Sequence, residues 1–445
     1  MAVSPARAAA FDILLRVERD QSYASELLHS SRLAKLSSSD HGLATELVMG
    51  VLRWRSLLDQ RMATASSQPL ERLDPEVLAA LRLGLYQLQF LSRVPARAAI
   101  FESVELVKAA RKRSAASFVN AILRKSVLKS AESMLELIEH CTDASQLAAY
   151  SAHPEWLVAS WVERYGLAAG RQICVHNQSV PATAISIYDD QSEKELAAAG
   201  VLLGPGLLLS NARRVDSGDV TKTRAFREGR ISIQDEASQL VAVLAGHGER
   251  MLDCCAAPGG KATLLARRNP HATVVATELH RHRARLLRRL VRVPNVHVLA
   301  ADARQLPFAA GFDRILADVP CSGTGTLARN PEIKWRLTFA DLAELQSRQI
   351  AILKSALRLL ADHGRLVYST CSLEREENEA VLEAALDDCA GFEQIDCGAE
   401  LEQLKRSGEL RSEDVDSLRA GPYLRTIPGK HPCEGFFAAI IERKE

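Results

Sequence analysis

Residues 251–261 read Met251-Leu252-Asp253-Cys254-Cys255-Ala256-Ala257-Pro258-Gly259-Gly260-Lys261. A short apolar run ends on an acid, then passes into small residues and two glycines. That is the pattern of a strand leading into a turn where backbone lies close to a ligand. A Walker loop would need glycine at Cys255 and Ser or Thr at Ala262, and the Gly-x-Gly-x-x-Gly fingerprint is absent as well. Further β-rich runs follow at 273–277, 296–300, 314–318 and 365–369, separated by helical patterns. This alternation predicts a doubly wound, Rossmann-like α/β sheet from about residue 236.

In such sheets ligands bind beyond the carboxyl ends of the strands, and the polar motifs of this chain fall there. Glu278 ends the second run, where a carboxylate can accept hydrogen bonds from ribose hydroxyls. Asp302 follows the third, placed to receive an adenine amine. Each acid alone reads more readily as a helix cap or loop charge; three acids at three successive strand ends point to a site. Asp318-Val319-Pro320-Cys321-Ser322-Gly323-Thr324-Gly325 follows the fourth run and Ser369-Thr370-Cys371-Ser372 the fifth. A lone buried cysteine is usually inert. Two on neighbouring loops, beside Asp318, read as catalytic.

Before this sheet the character changes twice. Residues 1–140 read as all helix: Phe11, Leu14 and Leu15 share a face, as do Leu43, Leu47 and Val51, and Leu78, Leu81, Leu85 and Leu88 form a stripe. Asp74-Pro75 reads as a helix start with a capping carboxylate. The polar positions Lys108, Arg111, Lys112, Arg113, Arg124, Lys125 and Lys129 are basic; a solvated face and an RNA phosphate surface explain them equally well. Residues 145–235 read as a small connecting α/β piece, with a short helix carrying Trp156 and Trp161 after His153-Pro154 and an alternating run at Ile185 and Ile187.

Composition narrows the class. The chain has 445 residues, 47% hydrophobic and 25% charged, so two or three globular domains are expected. The net charge of +1 offers no global argument for nucleic-acid binding, and any basic footprint must be local. Arg281, Arg283, Arg285, Arg288, Arg289 and Arg292, with His280 and His282, form one such stretch, read either as a solvated helix or as RNA steering. No apolar run is long enough to span a bilayer, and Asp12 interrupts the early apolar stretch, so a cytoplasmic protein without membrane contact is expected. Nine cysteines, none in Cys-x-x-Cys spacing, argue against a disulfide framework and against a metal site. Cys141, Cys174, Cys389, Cys397 and Cys433 read as packing residues.

The loop Asp253–Lys261 resembles that of the Sun or Fmu family of RNA 5-methylcytosine methyltransferases. The resemblance extends to Arg329–Trp335, to Thr370-Cys371-Ser372 and to Glu434-Gly435-Phe436-Phe437. It implies that S-adenosyl-L-methionine is held by Cys255, Ala256, Ala257, Pro258, Gly259, Gly260, Lys261, Glu278, Asp302 and Asp318. It further implies that Cys371 is the nucleophile and that Cys321 assists release. A Pro-Cys nucleophile also occurs in DNA cytosine-C5 methyltransferases, and the second cysteine motif is what resembles the RNA enzymes. Two positions depart from the family's habit, Cys254 for Leu and Glu278 for Asp. Ile185-Ser186-Ile187-Tyr188 stands where the family has Leu-Arg-Val-Asn. The first 140 residues resemble the helical RNA-binding factor NusB, a fusion that implies small-subunit (16S) rRNA as substrate, with no obligate protein partner inferred. Transfer-RNA or DNA methylation, and a non-catalytic antitermination role, are the competing readings.

Overall fold

Leucines spaced three and four apart drive the N-terminal part into helices, chiefly Pro5–Arg19, Ser38–Arg53, Arg55–Ala65, Pro75–Phe90, Ala96–Ala109 and Ala116–Ser126. Their shared core contains Phe11, Leu14, Leu47, Val51, Leu81 and Leu85, with Leu15, Leu43, Leu78 and Leu88 half-buried against it. The computed structural model describes residues 3–30, 33, 35–126, 134–309, 311–389 and 391–444. Lys129 lies outside them. Asp74 stands at the N-cap of Pro75–Phe90, but its carboxylate does not cap the helix. It pairs instead with Lys112 Nζ at 3.0 Å, because an ammonium within reach is a stronger partner than a backbone amide.

The chain divides into two compact units, Met1–Val180 with Leu327–Arg336, and Pro181–Thr326 with Leu337–Glu445. The division falls inside the stretch 145–235. Glu155–Gln178 belongs to the helical unit, and it is longer than the short helix expected: 24 residues, with a break in helical geometry at Gly166 and Trp161 fully buried.

The second unit begins with a small antiparallel sheet of β1 (Thr183–Ile187), β2 (Leu202–Pro205), β3 (Ala212–Ser217) and β4 (Ile231–Ile233), in the order β2-β3-β1-β4. Ile185 of β1 is buried with Leu196, Val201 and Ile231. Ser186, at the position where the family has arginine, is buried too and donates to Gln239 Oε1 at 2.6 Å, so it is no surface contact.

The large sheet contains, among the described residues, β5 (Arg250–Asp253), β6 (Thr273–Glu278), β7 (Val296–Ala300), β8 (Phe312–Asp318), β9 (Leu360–Thr370), β10 (Phe392–Ile395), β11 (Arg419–Ala420), β12 (Tyr423–Arg425) and β13 (Phe437–Arg443). The five expected strands lie parallel in the order β7-β6-β5-β8-β9. The sheet as a whole is mixed, because β13 runs antiparallel beside β9 and carries β12 and β10 antiparallel to itself. Adjacent residues of β5 enter different cores, Met251 one and Leu252 the other, as a strand covered on both faces requires. Strand order reverses at β5, with β6 on one side and β8 on the other, and in doubly wound sheets the ligand crevice is expected at such a reversal.

Candidate active site

The loop leaving β5 is pinned to both neighbouring strands. Cys254 N–H donates to Leu316 O at 2.9 Å, Ala256 N–H to Thr277 O at 2.9 Å, and Thr277 Oγ1 to Cys254 O at 2.6 Å. Ala257–Pro258 is cis. Gly259 has φ of +118°, a conformation L side chains rarely adopt, and a Cβ there would lie 2.5 Å from Val291. The helix Gly260–Arg268 starts immediately afterwards, with Lys261 in its first turn.

Lys261 extends under the sheet edge, where Nζ lies 2.8 Å from Asp318 Oδ2 and 5.2 Å from the centre of the Phe436 ring. Burial pulls the ammonium down, but Asp318, with Cys371 and Asp253 adding, outweighs this and holds it above its ordinary value. The other Asp318 oxygen accepts from Ser369 Oγ at 2.8 Å. Asp253 is buried, with Oδ1 accepting a long bond from Cys255 N–H at 3.3 Å and Oδ2 left without a hydrogen-bond partner. Burial first, then the charge of Asp318, pushes this carboxyl up to about 7. Burial raises the Cys255 thiol well above its ordinary value, which makes it a packing thiol rather than a reactive one.

Glu278 is buried at the end of β6; Oε1 accepts from His280 N–H at 2.9 Å, and Arg283 approaches Oε2 at 3.7 Å. The helix Arg281–Leu290 that follows buries only Ala284 and Leu287. Asp302 does not present a free carboxylate. It caps the turn Ala303–Gln305, and both its oxygens accept from the exposed Arg304 guanidinium at 2.6–3.0 Å.

The two cysteine loops meet. Cys321 Sγ and Cys371 Sγ lie 3.3 Å apart, within hydrogen-bond reach, both half-buried and not joined by a disulfide. Gly325 N–H donates to Cys371 O at 2.9 Å, and Gly435 N–H to Gly325 O at 2.9 Å, so the terminal motif supports the first cysteine loop. A Cβ on Gly325 would stand 2.1 Å from Gly435 O, which no side chain permits. The contact with Cys371 first, then burial and the charges of Glu377 and Asp318, raises the Cys321 thiol well above its ordinary value. Cys141, Cys174, Cys397 and Cys433 are buried and free, and Cys389 is half-buried and free.

Sequence reading missed Glu377. It lies in the run Glu374-Arg375-Glu376-Glu377-Asn378-Glu379, which resembles an exposed acidic turn, and no local signal separates Glu374 and Glu377, which are buried, from Glu376 and Glu379, which are less so. Among the described residues no group of three or more His, Cys, Asp or Glu is arranged to hold a metal. No helix of the described residues is long and apolar enough to cross a membrane.

A doubly wound sheet with two thiols past its strand ends, in a chain that also carries a helical unit, is the architecture of a Rossmann-like transferase with an added helical domain. Residues 241–442 match the family described as 16S rRNA methyltransferase RsmB/F, and residues 4–127 match the NusB family. The chain is 34% identical over 454 residues to the probable ribosomal RNA small subunit methyltransferase B of Bacillus subtilis, with 98% of each chain covered. It is 34% identical over 396 residues to the ribosomal RNA small subunit methyltransferase B of Pseudomonas syringae, covering 84% of this chain and 85% of that one. The crystal structure of PH0851 shares the fold over 100% of both chains, with a TM-score of 0.80 at 22% identity. The chain belongs to the RsmB/F family of methyltransferases.

Proposed function

We propose that this protein transfers the methyl group of S-adenosylmethionine to C5 of a cytosine in small-subunit rRNA through a covalent adduct between Cys371 and C6, working in the cytoplasm. Residues 236–445 carry the chemistry, 145–235 connect, and 1–140 dock RNA. The observation that carries the reading is the pair of thiols 3.3 Å apart beside Asp318 at the strand reversal. The residues of the crevice fit the cofactor: Asp253 offers a buried, unpartnered acceptor to a cationic donor, Glu278 a buried acid for hydroxyls, and Gly259–Gly260 backbone without side chains. When bound, S-adenosylmethionine supplies an electrophilic methyl group.

Cytosine C5 is too electron-poor to accept that methyl unaided. Addition of a thiolate at C6 makes C5 an enamine carbon, provided N3 is protonated as the ring takes up charge, and the Asp318 carboxylate is the group proposed to accept the hydrogen bond from that N3–H. The base has to leave its stack to enter the crevice. The Lys261 ammonium interacts with Cys371, whereas Glu377 and Asp318 oppose ionisation of Cys321. The attack is assigned to Cys371, the role the resemblance implies, and Cys321 keeps its proton while Cys371 adds to C6. Once the Cys371 sulfur is bonded to C6 and C5 carries the methyl group, the hydrogen bond to Cys371 that most strongly holds the proton on Cys321 is lost. That proton passes to water, and the Cys321 thiolate can take the C5 proton. The C6–sulfur bond then breaks, restoring the Cys371 thiolate and the aromatic ring.

The test is a pair of variants assayed with small-subunit rRNA, tRNA and DNA. Cys371→Ala is expected to abolish both methylation and adduct. Cys321→Ala is expected to accumulate a protein–RNA complex that survives a denaturing gel. The reverse pattern would exchange the roles of the thiols. Methylation by both variants would sink the covalent mechanism, and a preference for tRNA or DNA would sink the substrate.

A further inference from the structure

Glu377 is fully buried, and its carboxylate accepts four donors. Oε1 takes the Ser322 N–H at 2.7 Å and Gln349 Nε2 at 2.9 Å; Oε2 takes the Ser372 hydroxyl at 2.5 Å and also the Ser322 hydroxyl. Ser322 follows Cys321 and Ser372 follows Cys371, so a single carboxylate grips the residue next to each thiol. The grip is itself braced. Tyr368 donates its hydroxyl to Glu377 O at 2.6 Å, and Gln349 Nε2 also donates to Pro320 O at 2.9 Å, just before Cys321. Asn378 accepts from Thr370 Oγ1 at 2.5 Å and donates to Ser372 O at 2.9 Å, bracketing Cys371.

A buried carboxylate is costly, and an apolar or amide side chain would brace two loops more cheaply. We propose that Glu377 is a positioning residue that fixes the two thiols at the separation their division of labour needs. This rests on the reading of Cys371 and Cys321 given above. The carboxylate also presents its charge to Cys321, whose surroundings further include Cys371, Asp318 and the Tyr368 hydroxyl. It acts on the reaction only through the thiols.

Two near-isosteres separate geometry from charge. Glu377→Asp keeps the charge but is one methylene short of spanning both serines. Its kcat is expected to fall on the order of a hundredfold with KM for RNA within about twofold, the signature of reacting groups misplaced without loss of binding. In Glu377→Gln the serine hydroxyls can reverse and accept from the amide, so the loops stay joined while the charge is lost. A smaller loss of kcat, about tenfold, is expected. Iodoacetamide alkylation of each cysteine, followed by mass spectrometry between pH 6 and 10 on the full chain without RNA, supplies the second readout. Cys321 of Glu377→Gln is expected to alkylate at lower pH than in wild type, and Glu377→Asp to expose both thiols faster. Unchanged alkylation in both variants, or kcat within about twofold of wild type, overturns the proposal. Should either variant fail to fold, Ser372→Ala cuts the hydroxyl tether to the Cys371 loop, and wild-type kcat with wild-type alkylation in that variant is equally fatal to the proposal. Because alkylation needs no RNA, it reports on Glu377 even if the adduct assay were to exchange the roles of the cysteines.

Discussion

Asp253 is the acid whose surroundings make the clearest demand for a ligand. Its carboxyl is raised from an ordinary 3.8 to about 7, by burial and then by Asp318, with Lys261 and the Cys255 amide pulling the other way. Between those two values the native chain holds a proton that the unfolded chain has lost. Stability therefore falls as pH rises from about 4 to 7, and the loss is complete above the folded value. Asp253→Asn removes this dependence. In urea unfolding without cofactor the variant is expected to gain on wild type by on the order of 2–4 kcal/mol between pH 4 and pH 8. A cationic donor binding to the ionised acid must expel the proton, so wild-type affinity for S-adenosylmethionine should rise as pH passes through 7. Calorimetry in buffers of different ionisation enthalpy reads that proton directly, and an identical pH profile in Asp253→Asn would remove the acid from the cofactor site.

At the scale of elements, Leu327–Arg336 is the segment whose place is least evident from its neighbours in sequence. It lies between β8 and β9 in the chain, yet it completes the helical unit. Glu332 Oε1 accepts from Ala24 N–H at 2.7 Å, Trp335 Nε1 donates to Leu52 O at 2.6 Å, and Arg336 donates to the carbonyls of Val17, Gln21 and Ser22 at 2.6–2.8 Å. Lys334 is fully buried with Nζ donating to Arg53 O at 2.9 Å. Burial pushes this amine well below its ordinary 10.5, with Cys174 opposing and Arg53 reinforcing the shift. Between the folded value and 10.5 the unfolded chain carries a proton the native chain lacks. Stability accordingly climbs as pH rises toward 10.5 and is lost as pH falls through the folded value. Lys334→Met keeps the length and removes the titration, while Arg53 O retains Gln178 Nε2 as donor at 3.0 Å. The variant is expected to exceed wild type by roughly 1–3 kcal/mol at pH 7, with the gap closing by pH 10. Denaturant unfolding at both values checks it, and a gap that does not change with pH would mean that the amine is not buried.

Across the whole molecule the charge is nearly balanced, so any RNA affinity has to come from local surfaces. Within the basic run of the helical unit, Lys108 and Lys112 are paired with Glu105 and Asp74, whereas Arg111, Arg113, Arg124 and Lys125 are exposed cations without an ion pair among the described residues. Arg113→Ala with Lys125→Ala should weaken rRNA binding and flatten the dependence of log affinity on log salt by about two, one for each phosphate no longer neutralised. Filter binding across a salt series decides it; an unchanged slope makes this run a solvated face. Much of the architecture was legible without coordinates. Helical stripes, β-rich runs and turn residues are local patterns repeated over a few residues, and they specify which elements form and which face each buries. A doubly wound order then obliges Asp253, Glu278, Asp318, Cys321 and Cys371 to share one edge of the sheet, because parallel strands all end on the same side. Partnerships were not legible. Arg304 occupying Asp302, Lys112 drawing Asp74 away from its helix, Glu377 turning inward from a run of acids and residues 327–336 joining the helical unit all depend on groups competing for the same few ångströms. That competition is settled by packing between residues distant in sequence, which no local pattern records; the sequence alone could bring two thiols to one edge, and only the folded chain could set them 3.3 Å apart.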